Sequence, residues 1–258
     1  MQTFRPTARS ARRRGRSSVR CGGLSEPNVS FLPSIWMVMS SETNGSADGS
    51  RIRVPRGSRR REEIAAVAER VFLQHGFSDT TMKMVANEAG ASTETLYRHF
   101  GSKDDLFIEV VSNRTRDLRQ RIETDLGSKG PLPAVLRAFG TNLYGAMIMP
   151  EMTALARIIV AEVQRNPALG EAFYAMAPGR TQRHLTDYLE AARRDGAFIG
   201  DDPLLAATMF IGLIIGKVVP VCLFIPHKDD GSRADMERHV DEAVRIFLAV
   251  YQAARPAA

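Results

Sequence analysis

Residues 60–111 read RREEIAAVAERVFLQHGFSDTTMKMVANEAGASTETLYRHFGSKDDLFIEVV, and the punctuation of this stretch decides the fold. Ile64, Val67, Ala68, Val71 and Phe72 recur at spacings of three and four. They lay an apolar stripe along a helix from about Ser58, a good N-cap, to Gln74, with Gly76 as its stop. Asp79-Thr80-Thr81 announces a second helix with Met82, Val85, Ala86 and Ala89 on one face, and Gly90 ends it after little more than two turns. Ser92 caps a third short helix, Thr93 to about Phe100; Gly101-Ser102 stops it and starts a fourth that runs from Lys103 past Leu126. Two short helices joined by a turn of about three residues containing glycine form a helix-turn-helix. Gly90 supplies the residue that tolerates positive φ in that turn.

In the third helix Leu96 and Phe100 stand four apart and face inward, leaving Thr93, Glu94, Tyr97 and Arg98 around the exposed side. Hydroxyls and a guanidinium donate to phosphate, and a tyrosine ring lies against sugar or a thymine methyl, so this face suits duplex DNA. Phe72 with Gly76-Phe77, Thr80-Thr81, Val85-Ala86, Ala89-Gly90-Ala91-Ser92, Thr95-Leu96-Tyr97-Arg98-His99-Phe100 and Ser102-Lys103-Asp104-Asp105-Leu106 together resemble the N-terminal domain of TetR-family transcriptional regulators.

That resemblance implies an all-α protein: a three-helix, homeodomain-like helix-turn-helix DNA-binding domain over residues 51–103 and a helical ligand-binding and dimerisation bundle over 104–258. It implies a homodimer on a partly palindromic double-stranded DNA operator, a repressor released by a small hydrophobic effector. An activator of the same fold is the alternative. Carried onto this sequence, it makes Thr93, Thr95, Tyr97, Arg98 and His99 recognition contacts and Thr81, Lys83 and Lys103 phosphate anchors. Glu94 departs from a purely basic surface and either accepts from a cytosine N4 or repels wrong registers. His99 reads equally as a core histidine beside Phe100, and Thr95 as bonding back along its own helix.

The remainder reads as helices at roughly 131–148, 151–165, 167–195, 202–219 and 233–254, separated by Pro or Gly, with no alternating strand pattern and no internal repeat. Phe139, Leu143, Tyr144, Met147, Ile148, Phe173, Tyr174 and Met176 offer an apolar, Met-rich lining with tyrosine hydroxyls as handles for the effector, although any helical core shows the same stripe. Helices 202–219 and 233–254, the latter with Met236, Val240, Ala243, Val244, Phe247 and Val250, are expected to make the four-helix dimer interface. Gly212 and Gly216 would permit close approach there.

The formal charge of +6 is carried wholly by residues 1–38, where seven arginines face only Glu26; residues 39–258 balance. Residues 1–50 read as a disordered extension, its first 36 or 38 residues expected to be an upstream reading-frame extension, with Met39 the expected start. The arginine-rich composition also resembles a transit peptide. Arg51, Arg53, Arg56, Arg59, Arg60 and Arg61 form a basic run expected to act as a flexible arm tracking phosphates or the minor groove.

Two cysteines, Cys21 and Cys222, support neither a disulfide framework nor a four-ligand metal site, which points to the cytoplasm. Leu204 to Ile225 is long enough to span a bilayer, but Thr208, Lys217 and Pro220 interrupt it, so a buried interface helix is preferred over a membrane-anchored DNA-binding protein. Gly212 to Lys217, GLIIGK, has three residues between its glycines and Val218 where a phosphate loop needs Ser or Thr. His75, His184, His227 and His239 have no ligand spacing. No enzyme, cofactor or metal is expected.

Overall fold

The computed structural model describes residues 56–225 and 233–252, which form eleven helices and no strand. The extension 1–50, Arg51 and Arg53 of the basic run, and His227 lie outside the described residues. α1 (Arg56–Asp79) starts two residues before Ser58 and bends at Gly76, whose φ of 75° and ψ of 179° interrupt the helical path. α2 (Met82–Glu88), α3 (Thr93–Phe100) and α4 (Lys103–Leu126) follow in quick succession. Each begins on a hydroxyl cap: Thr81, Ser92 and Ser102 accept from the backbone N–H of Met84, Thr95 and Asp105. Such caps satisfy donors that the first helical turn leaves unpaired. Gly90 turns α2 into α3 at φ 56°, as its place in the sequence requires.

Five successive helices then carry proline in the first turn, where the missing N–H costs nothing and φ is already helical. They are α5 (Leu132–Met147), α6 (Pro150–Glu162), α7 (Pro167–Met176), α8 (Pro178–Arg194) and α9 (Pro203–Ile215). Pro178 divides the expected helix 167–195 in two, because proline has no N–H to continue the ladder and its ring crowds the preceding turn; Ala177 is distorted to φ −116°, ψ −77°. The expected helix 202–219 likewise ends at Ile215, and the chain bends by 54° into α10 (Val218–Phe224). The apolar run 204–225 is therefore two helices, and no single described helix is long and apolar enough to cross a membrane.

Two apolar cores organise the chain. The first gathers Ile64, Ala68, Phe72, Val85, Leu96, Phe100, Leu106, Phe107 and Val111 and also takes Leu155, Ile159 and Leu169 from α6 and α7. Phe107 meets Phe72 and Phe77 edge-on at 4.9 and 5.4 Å, favourable geometry for ring quadrupoles. The second gathers Ile122, Phe139, Leu143, Tyr144, Leu185, Leu189, Phe210, Ile214 and the inner face of α11 (Arg233–Tyr251). α4 threads both cores, so a division after residue 103 cuts it behind its first residue; the packing changes instead between Val111 and Ile122.

α11 corrects an expectation. Val240, Ala243, Val244 and Phe247 are buried against α5 and α9, so this part of the stripe read as a dimer contact is consumed inside the chain, while Val250 of the same stripe stays exposed. An amphipathic period shows that a face is covered and leaves open which surface covers it.

Candidate nucleic-acid interface

The exposed surface of α2 and α3 is assembled from helix beginnings. Thr81 and Lys83 are exposed at the start of α2; Ser92, Thr93, Glu94, Tyr97 and Arg98 are exposed on α3. Leu96 and Phe100 are buried beneath them and fix the rotation of α3, while Tyr97 stands 53% exposed. Thr95 is half-buried; its hydroxyl lies 2.9 Å from Ser92 Oγ and accepts from Arg98 Nη2 at 3.2 Å. His99 is also half-buried, its ring 6.1 Å from that of Phe100. The structure thus brings Thr81, Lys83, Thr93, Glu94, Tyr97 and Arg98 to solvent on two neighbouring helices and holds Thr95 and His99 further back. Ser92 joins the exposed set. Its cap position was legible, but nothing in the spacing marked it as part of the face.

Beneath this face, basic side chains close the far ends of the helices. Lys103 Nζ donates to the carbonyls of Phe77 (2.8 Å), Ser78 (3.3 Å) and Thr80 (3.0 Å) and lies 4.4 Å from the centre of the Phe77 ring. Arg60 Nη2 donates to the carbonyls of Ala89 (2.9 Å) and Gly90 (3.2 Å) at the end of α2. Arg61 Nη1 donates to the carbonyl of His99 (2.6 Å), Nη2 donates to Glu109 Oε2 of α4 (2.9 Å), and its guanidinium carbon stands 4.9 Å over the Phe100 ring.

These contacts alter the reading of the basic run. Arg59, Arg60 and Arg61 belong to the first turns of α1, with Arg59 paired to Glu63 at 3.3 Å, and are not part of a flexible arm. Terminal carbonyls of a helix have no partner of their own and carry the negative end of its dipole, which draws cations from neighbouring helices.

The reading head also bonds to the next layer. Ser78 Oγ donates to Oε1 of Glu162, a buried carboxylate at the end of α6, at 2.7 Å, and the Asn166 side-chain amide donates to the Asp104 carboxylate.

The residues expected to line one effector chamber are divided between the two cores. Phe139, Leu143 and Tyr144 are buried in the second core with Met147 and Ile148 packed against it, whereas Phe173 and Met176 pack on the first. Tyr174 is exposed. The cause is the rotation of α7, which turns Leu169, Phe173 and Met176, spaced four and three, toward the first core and away from α5. A groove of about 330 Å³ opens elsewhere, between α1 and α4, lined by Glu62, Glu69, Asn113, Arg114, Arg116 and Asp117; its lining is charged.

Comparison with known proteins agrees with this architecture. Residues 64–110 match the family of bacterial regulatory proteins, tetR family, and residues 134–253 match the AefR-like transcriptional repressor, C-terminal domain. A TetR-family transcriptional regulator from Mesorhizobium loti MAFF303099 has a similar structure, with a TM-score of 0.70 and 30% identity over 78% of this chain and 100% of that one. The flavonoid-responsive regulator FrrA has a TM-score of 0.64 at 30% identity with the same coverage of both chains. The HTH-type transcriptional regulator YhgD of Bacillus subtilis (strain 168) is 25% identical over 164 residues, 62% of this chain and 82% of its own. These relatives are transcriptional regulators and not enzymes. With a matching reading head, a matching C-terminal bundle and full-length structural relatives at 30% identity, the chain belongs to the TetR family of transcriptional regulators.

Proposed function

We propose that the protein is a homodimeric repressor that sets α3 of each subunit into the major groove of a partly palindromic operator and is released by a small hydrophobic effector. The observation that carries the DNA-binding part is the outward face of α3: hydroxyls, a phenol, a carboxylate and a guanidinium on a helix whose apolar side is locked into the core. Thr81 and Lys83 then lie toward the phosphates flanking the groove, and cytoplasmic residence follows from the location of the operator.

Dimerisation is assigned to α9. Leu204, Leu205 and Met209 are each about half exposed on it, and a Cβ built at Gly212 would meet open space. An apolar stripe of this kind on an otherwise packed helix is what a symmetric partner covers. The repressor description of the matched C-terminal domain supports repression, and the flavonoid response of FrrA supports a hydrophobic effector.

We place that effector against Phe139, Leu143, Tyr144 and Met147 of α5. Because these side chains pack within the second core, the effector-bound state must open that core. The energy comes from preferential binding to the opened conformation.

Selection of bound duplexes from a random-sequence library tests the DNA reading. Enrichment of a two-fold symmetric sequence is expected, and absence of any enrichment would overturn it. Thermal-shift screening of planar aromatic compounds tests the effector site: stabilisation should be weakened by Leu143→Ala.

A further inference from the structure

The chemistry of a DNA-binding surface invites every cation near it to be read as a phosphate contact, yet Arg60, Arg61 and Lys103 are already engaged. Lysine has three ammonium hydrogens, and those of Lys103 face three carbonyls at the end of α1. Arg60 closes the end of α2 and the turn into α3, and Arg61 closes the end of α3. Each of the three helix C-termini in the reading head thus receives a cation from a different helix.

The arrangement is also directional. Arg60 and Arg61 are neighbours on α1, and between them they hold both ends of the segment that contains α3: Ala89 and Gly90 before it, His99 at its close. Arg61 carries this hold onward to α4 through Glu109, and its planar group rests on the Phe100 ring that anchors α3 in the core. A guanidinium reaches two separated acceptors with two different nitrogens of a planar fork and lays its flat face on a ring; an ammonium must gather all its acceptors around a single atom.

We propose that Arg60, Arg61 and Lys103 are positioning residues that set the angle of α3 in the groove and contribute no phosphate contact. Ionic contact is assigned to Lys83 and Arg98. Lys83 is exposed with no hydrogen bond or ion pair to any described residue, and Arg98 donates only to Thr95 on its own helix. The proposal rests on the DNA-binding reading and adds a division of labour among its cations. It reverses the expectation from sequence for Lys103.

Salt dependence separates the two roles, since log K falls with log salt in proportion to the number of phosphates neutralised. The full-length protein and its variants are titrated by fluorescence anisotropy against the library-selected duplex and a scrambled duplex of equal length, across a series of KCl concentrations. Circular dichroism reports folding at the working temperature.

Arg61→Ala, Arg60→Ala and Lys103→Ala should weaken binding to the selected duplex by about 10- to 100-fold, the scale of a lost charge-assisted hydrogen bond, with the scrambled duplex and the salt slope unchanged. Arg98→Ala or Lys83→Ala should reduce the slope by about one per subunit. Arg61→Lys decides the case in which Arg61→Ala does not fold: it keeps the charge, so a phosphate contact would survive it, whereas the two-acceptor hold would not. Loss on both duplexes with a slope reduced by about one per subunit overturns the proposal, as does full affinity in a folded Arg61→Lys variant. Failure of the wild-type protein to enrich any sequence overturns the underlying reading instead.

Discussion

Helices α3 and α9 each bury one face and show the other, and the two exposed faces are chemical opposites. α3 buries Leu96 and Phe100 and presents Thr93, Glu94, Tyr97 and Arg98; α9 buries Ala206, Ala207, Phe210 and Ile214 and presents Leu204, Leu205 and Met209. Apolar surface left in water forgoes about 25 cal/mol per Å², so the α9 face gains by meeting another apolar face. The α3 face gains nothing from burial as such, because its groups are stable in water; it gains only where a partner matches its donors and acceptors. One molecule therefore carries a surface suited to a copy of itself and a surface suited to a polyanion.

The strongest way to break this contrast is to charge the apolar face. Leu205→Glu combined with Met209→Glu should weaken self-association by about 1000-fold or more, roughly 4 kcal/mol, since unpaired carboxylates would be buried at the contact. Sedimentation equilibrium should show monomer; an unchanged mass would take α9 out of the interface.

The mirror experiment is Tyr97→Ala. The dimer should persist while affinity for the selected duplex falls by about 10- to 100-fold, and unchanged sequence-specific binding would remove the exposed face of α3 from the account.

A finer test concerns how α3 is started. Ser92→Ala removes the acceptor for the Thr95 N–H and should cost about 1 kcal/mol in urea denaturation without altering self-association. Loss of dimer in this variant would show that the two faces are coupled.

The smallest effect is one of pH. Burial, and then the Arg180 guanidinium beside it, hold His184 below the ordinary histidine value of 6.5, against the opposing pull of Glu123 and Asp187. A histidine lowered in this way is fully accommodated above its unfolded value. As pH falls below 6.5 the unfolded chain takes up the proton first, and stability declines through the window down to the lowered folded value. Melting temperatures measured from pH 8 to pH 5 should fall less steeply for His184→Gln than for the wild type; equal slopes would place the pH dependence elsewhere.

The ease of reading the two regions differed for a physical reason. Thr81, Ser92 and Ser102 act on the N–H groups three residues ahead, and Gly90 acts on its own φ, so the reading head is built from interactions that are local in sequence. In the body, Pro133, Pro150, Pro167, Pro178 and Pro203 stand where helices begin, although one helix was expected to run through Pro178. Which apolar face meets which was not legible. α11 turned Val240, Ala243, Val244 and Phe247 inward and left Val250 exposed, although all five belong to one apolar stripe, and α7 took Phe173 and Met176 to the first core although composition grouped them with Phe139 and Leu143.

By itself, the sequence determined the helix starts, the turn that joins α2 to α3 and the residues on the outer face of α3, because each depends on neighbours three or four positions away. Only the tertiary structure decided that Arg60, Arg61 and Lys103 hold carbonyls of other helices and do not stand free. A cation's partner is set by what folding brings within 3 Å or so of it, and for these three the partners lie 23 to 38 residues along the chain.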